Sequence, residues 1–103
     1  MKFIVALAVA VLLFAVMPAM ATQATMKNGA FGCKNIGDCE QLVSDLSNPS
    51  YFHSDLDMFV SDGKAVTFDA GEHVDLTDTE SGYYTEVSYS GENYWVYNDY
   101  IER

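Results

Sequence analysis

The chain has 103 residues, 50% of them hydrophobic, with 15 Asp/Glu against five Lys/Arg. Residues 22–103 keep all 15 carboxylates and only four of the cations, a net charge of −11 on a length that suits one small domain. These figures argue against a nucleic-acid binder, a multidomain enzyme and a polytopic membrane protein.

Residues 1–21 read as an export signal. Lys2 supplies a short positive start, Phe3 to Met17 is an unbroken apolar run, Pro18 ends it, and Ala19-Met20-Ala21 is the small-x-small pattern that a signal peptidase cuts. An uncleaved anchor is the alternative, but the run covers only about 22 Å as a helix against ~30 Å of hydrocarbon. The expectation is therefore an exported protein, periplasmic or secreted, with no membrane span after cleavage.

Residues 22–36 read as a flexible lead-in, polar and glycine-containing. Cys33 and Cys39 are the only cysteines. In an oxidising compartment they can form a single bridge, worth about 2 kcal/mol for so small a loop. Cys39 also fits the buried face of a helix as a reduced, apolar side chain. The bridge is the favoured expectation of the two.

Residues 37–63 read as a helical pair. Cys39, Leu42, Val43 and Leu46 fall at i, i+3, i+4 and i+7, one apolar stripe, with Asp38 and Glu40 in the first turn and Asn48-Pro49 as the stop. Phe52, Leu56, Phe59 and Val60 form the stripe of the second helix, which Gly63 ends as a left-handed cap. Pro49 suits its first turn.

From Ala65 the period changes to two. Short strands are expected over 65–69, 73–77, 83–89, 93–97 and 100–102, with a polar loop at 78–82 and a tight hairpin at Ser90-Gly91. Three local features of residues 64–103 carry a family resemblance. Gly71-Glu72-His73-Val74 resembles a glycine-containing turn that opens a strand. Gly82-Tyr83-Tyr84 with Val87 resembles a small residue, two aromatics and a valine. Tyr94-Trp95-Val96, ahead of Tyr100-Ile101, resembles the Gly-Trp-Val segment before a closing strand, with Tyr94 in place of the glycine. Together they resemble the bacterial Src-homology-three-like (SH3b-type) domain. The resemblance implies a small antiparallel β-barrel and a non-enzymatic binding or targeting role at the cell wall. The expected fold class is α+β, two short N-terminal helices followed by that barrel.

The chemistry-bearing residues are mostly aromatic. Tyr83, Tyr84, Tyr89, Tyr94, Trp95, Tyr97 and Tyr100 crowd into 18 residues. Strand alternation sends them to both faces of a sheet, so one set is core and the other is partly exposed. They are either cross-strand pairs that stabilise a small sheet or a recognition surface. For a surface, Tyr84, Trp95 and Tyr97 are the candidates, with Glu86 and Asp75 as polar neighbours. The carboxylates lack calcium-loop spacing, since Phe59 stands where the third ligand after Asp55-x-Asp57 would be. No metal, no cofactor and no catalytic residue is expected. His53 and His73, set among carboxylates, offer at most a pH-sensitive contact. Two functions remain: an envelope module that recognises a peptide, glycan or protein through its aromatic face, and a small acidic inhibitor or immunity-type protein. The second would capture a basic protein such as a lysozyme-like hydrolase.

Overall fold

The computed structural model describes residues 22–103, so the expected export signal at 1–21 lies outside the described residues. Alternation begins at once. In strand β1, Gln23–Met26, Ala24 and Met26 are buried while Gln23 is exposed. Strand β2, Phe31–Cys33, follows after a four-residue turn and is buried throughout. Next come helix α1, Ile36–Asp45, helix α2, Pro49–Ser61, and strands β3, Ala65–Thr67, β4, His73–Ser81, β5, Tyr84–Tyr89, and β6, Glu92–Tyr97. A 3₁₀ turn at Asn98–Tyr100 leads into β7, Ile101–Glu102.

The expected fold class is corrected in two respects. The helices are not N-terminal: they stand in the middle of the chain, after two strands. Nor is the sheet a closed barrel. Seven antiparallel strands run in the order β3-β2-β6-β5-β4-β1-β7, and the end strands β3 and β7 do not pair with each other. The physical reason is the lead-in. Its two strands take inner places, β1 between β4 and β7 and β2 between β3 and β6, so the C-terminal strands are completed by chain from before the helices.

The sheet curls strongly, because the turn at 27–30 joins β1 to β2 from opposite parts of the strand order. The linker from β3 to β4 laces this region with backbone bonds, Phe68 N to Ala30 O at 3.0 Å and Gly71 N to Met26 O at 2.7 Å. Inside the curl lies one core: Ala24, Met26, Val74, Leu76, Val87, Tyr94, Val96 and Ile101, closed by Phe68. The second core lies between the outer face and the helices, where Phe31, Cys33, Cys39, Leu42, Phe59, Ala65 and Tyr84 pack. Neither short helix would be stable alone; each depends on this apolar seat.

Turn chemistry agrees with the sequence. Ser90 and Gly91 both have positive φ, 52° and 81°, and join β5 to β6 through a two-residue loop. The loop expected at 78–82 is mostly strand. Register between β4 and β5 shifts between Leu76 and Glu80, so that Thr77–Thr79 stand opposite Glu86 alone, a β-bulge with Asp78 in the left-handed region at φ 66°.

The expected disulfide is also corrected. Cys33 and Cys39 are both buried free thiols. Cys39 lies on the first turns of α1, and its Sγ donates to the Trp95 carbonyl oxygen at 3.1 Å instead of bonding to Cys33. The Cys39 thiol beside it, followed by burial, pushes the Cys33 thiol far above the usual range. Both cysteines serve as small apolar packing groups. Among the described residues no helix is long and apolar enough to cross a membrane.

Candidate functional site

Register places all five sequence-derived surface residues on one face. Tyr84 stands opposite Tyr97, Glu86 opposite Trp95, and Ser88 opposite Asp75. Alternate residues of β5 share a side, so Tyr84, Glu86, Trp95, Tyr97 and Asp75 all lie on the outer face. The helices divide that face. Over β2, β3 and the adjoining part of β6 it is roofed by α1 and α2, and Tyr84, 7% exposed, belongs to the core beneath them. Burial is the main cause that raises the Tyr84 phenol above its ordinary value. Trp95 and Tyr97 are half-buried against the same core.

The rings form a connected row. Tyr84 meets Tyr97 with centroids 5.8 Å apart, Tyr97 meets Tyr100 at 6.1 Å, Tyr100 meets Phe31 at 5.4 Å, and Phe31 meets Phe52 of α2 at 5.4 Å. All four contacts are tilted or edge-on, the arrangements that ring quadrupoles favour. The aromatic set is therefore largely the seat of the helices. Tyr83, 75% exposed at the β4–β5 turn, is the aromatic ring left most open.

The other half of the outer face, over β5, β4 and β1, carries no helix and is polar. Gln23, Thr25, His73, Asp75, Thr77, Glu86 and Ser88 line it, and local bonds hold several of them. Thr77 Oγ1 donates to Glu86 Oε1 at 2.8 Å, and Gln23 Nε2 lies 3.4 Å from Asp75 Oδ1.

The distribution of charge is sharper than the net figure. None of the seven strands and neither helix contains a lysine or arginine, whereas 11 carboxylates stand on them. The four cations sit in turns or just after a strand: Lys27, Lys34, Lys64 and Arg103. Among the described residues two ion pairs form, Lys34 with Glu92 at 3.2 Å and Arg103 with Glu80 at 2.6 Å. They hold Glu92 and Glu80 below the usual carboxylate range, the Tyr94 hydroxyl contributing most at Glu92. The other 13 carboxylates have no cation partner among the described residues. No group of three or more metal-ligating side chains is assembled among the described residues.

A small pocket opens where β4 bulges away from β5, at one mouth of the curl. Leu76, Asp78, Glu80, Thr85 and Arg103 line it. Thr85 is the buried polar residue of the core, 2% exposed. It points inward because it shares its side of β5 with Val87. Its hydroxyl donates to Asn98 Oδ1 at 2.6 Å and accepts from Arg103 Nη2 at 3.0 Å. These mouth residues were not singled out as a unit by the spacing argument. The signal available was Thr85 itself, a polar residue at a core-facing position between Tyr83 and Val87.

No family model, no curated protein and no solved structure matches the chain.

Proposed function

We propose that this is an exported, non-enzymatic binding protein that captures a basic protein through its carboxylate surface. The observation that carries the reading is the sorting of charge: among the described residues, regular elements bear 11 carboxylates and no Lys/Arg, and only two of the 15 carboxylates form ion pairs. A surface so single-signed raises the encounter rate with a cationic partner and repels phosphate polymers and anionic lipid. An inhibitor or immunity-type role against a basic hydrolase, such as a lysozyme-like enzyme, fits that chemistry.

An aromatic wall-binding face is less well supported, because Tyr84 lies under α1 and Trp95 and Tyr97 are half-buried. The two readings separate on salt. Affinity for a basic lysozyme-like hydrolase should fall at least about tenfold as salt rises from ~50 to ~500 mM, since exposed charges are screened over that range. Failure to bind any basic protein, together with pelleting on peptidoglycan that survives salt, would replace capture with glycan recognition at the Trp95 margin.

A further inference from the structure

The mouth of the curled sheet holds a small pocket with two carboxylates and one guanidinium in its lining. Its cavity is about 130 Å³, room for roughly four waters or one side-chain head, and well below the several hundred cubic ångströms of a drug-sized site. The floor is Leu76 and the buried hydroxyl of Thr85, which lies within donating distance of Asn98 Oδ1 at 2.6 Å and of Glu80 Oε1 at 3.3 Å and accepts from Arg103 Nη2. Asp78 and Glu80 stand at the rim. Arg103 answers them with a single nitrogen, Nη2, which lies 2.6 Å from Glu80 Oε1. This is not the two-pronged fork that makes an arginine–carboxylate pair strong, and both side chains are about half exposed.

Two carboxylates against one guanidinium leave the mouth net negative, within a protein of net charge −11. An anion brought to Arg103 would face Asp78 and Glu80 at short range, so a cation is the ligand class that the electrostatics favour. Resting on the basic-partner reading, we propose that the mouth pocket receives one lysine or arginine side chain of the captured protein. Its aliphatic stem lies along Leu76, and its charged head takes the place of Arg103 beside Glu80, in a pocket that Asp78 also lines. Arg103 is then the chain's own occupant of a cation site, and it yields when the partner arrives.

Titration with N-acetyl-arginine amide and N-acetyl-lysine amide, followed by NMR on the full protein, tests the site itself. Saturable shifts concentrated at Leu76, Asp78, Thr85 and Arg103 are expected. Asp78→Asn should weaken binding about three- to fivefold and Arg103→Gln strengthen it about threefold, the scale of exposed ion pairs. Asparagine tolerates the left-handed backbone at 78, so the fold should persist. Unsaturable shifts spread over all the carboxylates would overturn the proposal.

A second arm measures capture of the basic hydrolase. If Asp78→Asn binds it as well as Asp57→Asn, a control on α2, the pocket is not the contact and only the broader reading stands. If the wild type captures no basic protein while the amide saturates the mouth, the partner reading falls and the cation site remains.

Discussion

Cys33 and Cys39 meet in the layer between sheet and helices, and burial rather than a covalent bond is what protects them. A water-soluble thiol reagent should therefore find almost nothing in the folded protein and two thiols per chain after unfolding in denaturant. No titratable thiol after unfolding would mean that a bridge forms in the compartment where the protein matures. Carboxylates give a second test at this scale, and they work in opposite directions. Glu72 is held below its usual range by the Tyr89 hydroxyl first and the Asp69 backbone N–H second. Like Glu80 and Glu92, it adds stability that is present above the ordinary glutamate pKa of 4.5 and is lost as pH falls through the lowered value. Asp45 is the reverse. It faces the Asp55 carboxyl across the helix pair; a hydrogen bond between the two carboxyls, then burial and their mutual repulsion, raise its pKa above the ordinary 3.8. Its contribution is complete below that value and disappears as pH rises through the raised one. Asp45→Asn should accordingly increase the melting temperature at pH 7 and leave it nearly unchanged at pH 3.5. An equal change at both values would show that the carboxyls do not share a proton.

At the scale of elements, the weakest residue to alter by volume is also the smallest. Gly32 in β2 has no room for a methyl group: an added Cβ would lie 3.0 Å from Tyr94 Cβ and 3.1 Å from the Phe68 ring. Gly32→Ala should cost about 1–3 kcal/mol in a urea titration through overpacking. Leu42→Ala, at a fully buried position of α1, should cost about 2–5 kcal/mol and loosen the helices from the sheet. An exposed-position cost at either site would contradict the two-core arrangement. The helices were legible because the stripes at Cys39–Leu42 and Phe52–Phe59 have clean 3.6-residue spacing and sharp ends at Asn48-Pro49 and Gly63. So was the Ser90-Gly91 hairpin. The order of the elements was not, because β1 and β2 are only four and three residues long. Gln-Ala-Thr-Met alternates, yet Ala24 and Met26 gain meaning only when β4 and β7 flank them. Phe-Gly-Cys shows no alternation because its glycine faces the inner core while Phe31 and Cys33 face the helices. The grouping of Tyr84, Glu86, Trp95, Tyr97 and Asp75 on one face followed from alternation alone. That the helices roof half of it depends on a long-range contact that local periodicity does not encode.

For the whole molecule, carboxylates outnumber cations 15 to four over residues 22–103, and self-repulsion opposes compaction. Moderate salt should therefore raise the melting temperature at pH 7, even as it weakens capture of a basic partner. A fall in melting temperature with salt would show that the two ion pairs, at Lys34 and Arg103, matter more than the repulsion. The placement of the four cations has another consequence, for digestion. A protease that cuts after lysine or arginine finds three internal points between residues 22 and 103, after Lys27, Lys34 and Lys64, and none falls inside a helix or strand. The Lys34 backbone N–H is bonded to the Lys64 carbonyl at 2.9 Å, so two of these points lie side by side at the root of the helix pair. Cutting there excises both helices as one 30-residue piece and leaves 65–103 whole. A trypsin-like enzyme can divide this protein at its joints but has no purchase within its parts.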